Sequence, residues 1–214
     1  MLYAAWSGLQ RGDRVAYISL DDDAETIYTA MKSKIGEKVD EHIKSHRLVL
    51  VDGYAARYGA APRGSWERMT KIDPSSLLQG IRSVVERYGV RECGMVVIDS
   101  LNPLFLQYEP TVVYDFVNAL RATITKQYNV FALVTLHTPI GLYAEIASML
   151  EYMVDAFIVT RYHPEAFEAG IPVRQVLVKK AKGVPVTHSW LSFMITDEGI
   201  VEAKVRFEPE KSSD

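Results

Sequence analysis

Acidic and hydroxyl residues directly follow apolar runs at three places in this sequence. Asp21, Asp22 and Asp23 come after residues 15–20, Asp99 and Ser100 after residues 95–98, and Thr135 and His137 after residues 130–134. Carboxylates and an imidazole gathered at one edge suit hydrolysis of a phosphoanhydride. One carboxylate holds Mg²⁺ through its water shell, another orients or deprotonates the attacking water, and a neutral polar group senses the transferred phosphoryl. Strand-end acids also cap helices and solvate loops, and Asp99 can close the next turn with Ser100 and Asn102. Taken alone, the residues leave both readings open. Lys179, Lys180 and Lys182, beside Gly183, read either as a solvated turn or as a basic finger for phosphate, Lys being a mobile point charge.

For those groups to meet, the runs before them must be neighbouring parallel strands. Residues 95–98 (Met-Val-Val-Ile) are apolar without alternation, the mark of a strand covered on both faces. Open α/β sheets place their ligand chemistry at the carboxyl ends of such strands. Residues 14–20 read as a strand, and residues 48–51 as a second all-apolar strand closed by Asp52-Gly53. Asp23 is placed to cap a helix through about Lys34, with Ile27, Met31 and Ile35 on one face, and a short helical piece follows near Val39 to Ile43. Asp73-Pro74-Ser75 starts a helix with Leu77, Leu78, Ile81, Val84 and Val85 inward. Pro110 to Tyr128 is a third helix, with Val113, Phe116, Val117, Leu120 and Ile124 inward. It leads to a strand at 129–135, a helix near 143–152 and a strand at 154–161. Strands alternating with helices predict an α/β fold with a mostly parallel sheet. Residues 173–178, 190–195 and 200–207 read as strands of a C-terminal antiparallel hairpin, turned at Asp197-Glu198-Gly199. Residues 54–74 are irregular and read as a surface insertion. Residues 208–214 are expected to fray.

Composition sets outer limits. The 214 residues suffice for one sizeable domain. With 24 Lys+Arg against 27 Asp+Glu, the net charge of −3 exerts no global pull on nucleic acid. A single cysteine, Cys93, excludes an intrachain disulfide framework and a cysteine-cluster metal site; it reads as a packed thiol in a reducing, cytoplasmic setting. No apolar run reaches transmembrane length. Residues 1–9 read as the later turns of an amphipathic helix that begins without a cap, as though its start were missing.

The order of these features resembles the RecA-type ATPases, and within them the KaiC-like proteins of archaea and bacteria. Residues 15–22, Val-Ala-Tyr-Ile-Ser-Leu-Asp-Asp, are similar to the family's strand ending in an acidic pair. Residues 95–100, Met-Val-Val-Ile-Asp-Ser, resemble its Walker B strand. His137 falls where the family often has a Gln, Ser or His that senses the γ-phosphate. Lys180-Ala181-Lys182-Gly183 and the segments after it resemble the Lys-x-Arg-Gly turn and closing hairpin.

The resemblance implies a RecA-like three-layer sandwich over residues 1–207, incomplete at its amino end. It implies ATP and Mg²⁺ as cofactors, Asp99 on the metal, and Asp21, Asp22 and His137 as catalytic groups. Ser100, Lys180 and Lys182 become cofactor-binding positions, the lysines reaching the nucleotide of an adjacent subunit in a homo-oligomer. Nowhere, however, does the sequence contain G-x-x-x-x-G-K-[ST]. The backbone cradle, lysine and hydroxyl that hold the phosphates and Mg²⁺ are therefore not encoded here. The strand before that loop is also missing, which leaves an unpaired gap among the remaining strands unless they close together or another chain fills it. Two Asp stand for the usual Glu pair, Lys182 for Arg, and Val186 where a His is frequent. The expectation is an ATPase-derived chain that does not hydrolyse ATP as it stands. The alternatives are an active enzyme once a phosphate loop is present, and an accessory module for DNA recombination or regulation. For DNA, residues 102–110 and 138–146 contain no Lys or Arg, which leaves Arg57, Arg63 and Arg68. Association through exposed Tyr58 and Trp66 and the closing hairpin is the other expected contact.

Overall fold

The computed structural model describes residues 1–59, 61, 63–92, 94–138, 141–196 and 199–204. The expectations for Cys93, the Asp197-Glu198 turn and the chain beyond 204 lie outside the described residues. The chain divides into two compact units, Met1–Met153 and Val154–Asp214.

The first unit is helix-covered parallel sheet. Helix α1 (Leu2–Arg11) ends at Gly12, whose left-handed backbone (φ 99°) closes the turn into β1 (Val15–Ser19). Helix α2 (Ala24–Ile35) starts where expected, with the Asp23 carboxylate accepting from the Thr26 N–H at 3.0 Å. Burial pushes that carboxyl upward, but hydrogen bonds from Arg63 and Thr26 outweigh it and hold its pKa below the ordinary 3.8. The chain continues through α3 (Lys38–Lys44), β2 (Leu48–Asp52), α4 (Tyr54–Tyr58), the two-residue β3 (Glu67–Arg68) and α5 (Pro74–Arg87). Then follow β4 (Met95–Asp99), α6 (Asn102–Gln107), α7 (Pro110–Leu120), a π-helical continuation (Arg121–Gln127), β5 (Phe131–Val134) and α8 (Gly141–Met153).

The strands lie in the order β3-β2-β1-β4-β5, all parallel. Alternation divides each strand between two helical layers. Val15, Tyr17, Leu48, Leu50, Met95 and Val97 form one core cluster with Ala5 and Leu9 of α1, Ile27 and Met31 of α2 and Val39 of α3. Helix α5 packs on β1 and on α7, burying Leu77, Ile81, Val84 and Val85.

The structure resolves one expectation and corrects two. No gap opens inside the sheet, because β1 pairs directly with β4 and β4 with β5. The open edge lies instead at β5, where Phe131 is 57% exposed while every residue of β1 and β2 is buried. The irregular stretch after Tyr54 is partly ordered by α4 and β3, and Trp66 is half-buried rather than exposed, donating to Glu25 Oε2 at 2.9 Å. Residues 102–107 are helical.

The second unit holds β6 (Ala156–Tyr162), α9 (Pro164–Glu168), β7 (Arg174–Ala181), β8 (Leu191–Thr196) and β9 (Gly199–Glu202). These strands make their own antiparallel sheet, β6-β7-β8-β9, so the C-terminal region is larger than a hairpin. Strand β6, which the alternation assigned to a parallel sheet, pairs antiparallel with β7. Its burial explains why: exposed and half-buried residues alternate in its first half, as in a strand with one covered face.

Ile18 sits fully buried in β1 between two paired strands. Its replacement by Ala leaves a cavity and is expected to cost about 2–5 kcal/mol. Replacement of exposed Tyr58 by Ala is expected to stay within about 0.5 kcal/mol. Urea denaturation of the two variants checks the contrast.

Candidate functional site

Parallel register brings three strand ends together. Ser19 lies opposite Asp52 on one side and Asp99 on the other, and Ile98 lies opposite Val134, so the chain leaves each strand at the same edge. The loop after β1 is held down by Asp99's backbone, whose carbonyl accepts from the N–H groups of Leu20 at 2.7 Å and Asp21 at 3.3 Å. Ser19 Oγ donates to the Asp22 carbonyl at 2.6 Å. Gly53 permits the close approach of the neighbouring turn, since a Cβ there would meet Leu20 Cδ2 at 2.5 Å and the Ser19 carbonyl at 3.0 Å.

Asp99 is the centre of the arrangement. Tyr17 Oη donates to its Oδ2 at 2.5 Å and Thr135 Oγ1 to its Oδ1 at 2.6 Å. Both donors follow from register: Tyr17 stands two residues before Asp99's neighbour Ser19, and Thr135 comes directly after Val134. Each carboxylate oxygen keeps a further lone pair for a ligand. Burial, then the charge of Asp99, and then this hydrogen bond push the Tyr17 phenol far above its ordinary 10.0. Tyr17 therefore stays a donor.

His137 is fixed through its backbone. Asn102 Oδ1 accepts from the His137 N–H and Asn102 Nδ2 donates to the His137 carbonyl, both at 2.8 Å. Its ring places Nε2 3.7 Å from Asp21 Oδ2. One donor atom each from Asp21, Asp99 and His137 lies within 4.8 Å of the others. Two carboxylates and an imidazole fit a divalent cation, and Asp99 is the best supported of the three.

The other candidate residues fall elsewhere. Asp22 is exposed, and its backbone carbonyl makes the turn's hydrogen bond from Ser19. Ser100 is fully buried, its hydroxyl donating to Asn102 Oδ1 at 2.8 Å, so it supports the clamp on His137. Lys180 lies on β7 rather than in a turn. Lys182 follows that strand, its N–H on the Asp155 carbonyl at 2.8 Å and its Nζ 3.6 Å from Asp155 Oδ1. Of the three arginines proposed for DNA, Arg57 donates to the Leu20 carbonyl at 2.9 Å and Arg63 pairs with Asp23.

Sequence reasoning placed Thr135 at the converging strand ends without a specific role, and gave no site role to Tyr17, Asn102 or Asp52. A tyrosine inside an otherwise aliphatic buried strand was the available signal for Tyr17. Asp52 is almost fully buried and accepts from the N–H groups of Ala55 at 2.9 Å and Ala24 at 3.4 Å, so it ties α4 to the start of α2.

Replacing Tyr17 by Phe removes a hydrogen bond to a charged group and is expected to cost about 1.5–3 kcal/mol at neutral pH. The folded state holds this phenol protonated above its ordinary 10.0, so its stabilisation is full below that pH and is lost as pH rises beyond it. Denaturation at a series of pH values is therefore expected to show the gap between the two proteins narrowing above pH 10.

No curated protein matches the sequence. The fold is similar to that of a KaiC-like protein from the hyperthermophilic archaeon Pyrococcus horikoshii OT3, with a TM-score of 0.67 at 17% identity. That likeness covers 94% of this chain and 81% of the other. The family described as "ATPase: KaiC" matches residues 3–204, which takes in both units almost entirely. With its strand ends gathered as they are, the chain belongs to the KaiC ATPase family and has the RecA-type α/β fold of that family.

Proposed function

We propose that the first unit carries the hydrolytic edge of a KaiC-type ATP site, and that this polypeptide by itself does not turn over ATP. The meeting of Asp21, Asp99 and His137 from three strand ends supports the first half. In this reading Asp99 holds the metal-side position, kept in place by Tyr17 and Thr135. Asp21, with Asp22 behind it, orients the attacking water and takes its proton, and His137 contacts the γ-phosphate. Magnesium, when bound, neutralises charge on the transferred phosphoryl. Lys180 and Lys182 are proposed contacts to the phosphates of a nucleotide on an adjacent subunit, and Ser100 acts through Asn102 on His137. The second half rests on the sequence, which contains no G-x-x-x-x-G-K-[ST].

Phosphate release at saturating Mg-ATP is expected to stay at background. Turnover that disappears in Asp99→Asn would refute the proposal.

A second reading, hydrolysis in an assembly that supplies the phosphate loop on another segment, is favoured by the open edge of β5. This strand has no partner on its outer side among the described residues, and such an edge templates a further strand. Self-association is supported by exposed apolar side chains in the second unit, among them Leu191, Ile158 and Ile200. Light scattering is expected to give a mass above the 24.1 kDa of one chain, and Leu191→Asp to lower it. No helix among the described residues is long and apolar enough to cross a membrane, so neither reading calls on one.

A further inference from the structure

We propose that Asp21, Asp99 and His137 bind a first-row transition cation of the Mn²⁺ or Zn²⁺ class directly, without nucleotide. This deepens the reading of the same site given above, yet it requires no phosphate loop. Its basis is the donor set. Mg²⁺ prefers an octahedron of oxygens and keeps much of its water, whereas an imidazole beside carboxylates suits Mn²⁺, Zn²⁺ and their neighbours.

The geometry is close to what such an ion requires. Bonds of about 2.0–2.2 Å place the donors around one ion roughly 3–4 Å apart. Asp21 Oδ2 and His137 Nε2 are already 3.7 Å apart. Their side chains are 35% and 63% exposed, so small rotations are free to bring them onto the ion beside Asp99.

The surroundings provide a second, separate observation. Metal-binding carboxylates and histidines are oriented by outer partners. Here both Asp99 oxygens accept hydroxyl hydrogen bonds, from Tyr17 and Thr135, with a lone pair left on each. The His137 backbone is gripped on both sides by Asn102, which in turn accepts from buried Ser100. A histidine kept only for a surface ion pair with Asp21 would not require a two-bond clamp. The clamp fixes the backbone that carries the ring and leaves both ring nitrogens uncommitted to Asn102.

The test is Mn²⁺ titrated into the full chain without nucleotide, with free ion followed by electron paramagnetic resonance. One Mn²⁺ per chain is expected to lose its free signal, to be displaced by Zn²⁺ and to resist an equal concentration of Mg²⁺. Asp99→Asn is expected to abolish uptake. Asp21→Asn and His137→Ala are expected to weaken it by at least about tenfold, the lower range for loss of even an outer partner. His137 is exposed, so its variant remains informative if Asp99→Asn fails to fold, with circular dichroism as the check. Unchanged Mn²⁺ affinity in His137→Ala, equal competition by Mg²⁺, or no uptake would each overturn the proposal. Phosphate release at saturating Mg-ATP separates the two claims. Background release with Mn²⁺ uptake keeps both. Turnover that disappears in Asp99→Asn removes the functional reading, while Mn²⁺ uptake still keeps the cation site. Background release without Mn²⁺ uptake removes the cation site alone.

Discussion

A carboxylate at the end of a strand buried on both faces needs hydrogen-bond donors, because water alone cannot solvate it there. Asp99 obtains them from its two neighbouring strands, Tyr17 from β1 and Thr135 from the end of β5. Both are hydroxyl donors, so they stabilise the charge without neutralising it. An ionised, oriented carboxylate with open lone pairs is what any cation or phosphoryl chemistry at this edge must start from. The Asp99 backbone carbonyl serves as well, anchoring Leu20 and Asp21 and so bringing the second carboxylate to the site.

This arrangement exists only in one register. Ser19 opposite Asp99 and Val134 opposite Ile98 put the donors within reach. A slip of one residue would turn Tyr17 to the opposite face and leave Asp99 without its phenol. The aliphatic packing of α1, α2 and α3 on one face and α5 on the other therefore does more than stabilise the domain. By specifying which residues of β1 and β4 point to which layer, it determines the chemistry at their tips.

Family membership and site geometry support different parts of the functional reading. The KaiC ATPase match accounts for the fold. It does not explain why the imidazole lies so near both acids, or why Asn102 clamps its backbone from both sides. Those features follow from the contacts of this chain alone, and the proposed cation site rests on them.

Much of the first unit was legible in the residues. The unbroken apolar runs of β2 and β4 announced buried strands, and residues 14–20 announced β1 as a strand. Asp23 and Asp73 marked helix starts, because a capping carboxylate is a local device read over three residues. The convergence of Asp21, Asp99 and His137 followed from parallel neighbours, and the resemblance to KaiC-like proteins supported the order. Other features depended on contacts far apart in sequence. Tyr17 and Asp99 are 82 residues apart, and Asn102 and His137 35, so no periodicity could pair them. The same holds for the closed sheet with its open edge at β5, since a strand's pattern records burial but not which strand lies beside it. It holds also for β6, where one covered face and antiparallel pairing depended on the partner strand β7. Sequence alone determined the elements and the residue types at their ends, because propensity, capping and burial act locally. Tertiary structure alone decided which of those ends face a common ligand, because register and strand order arise from packing between distant segments.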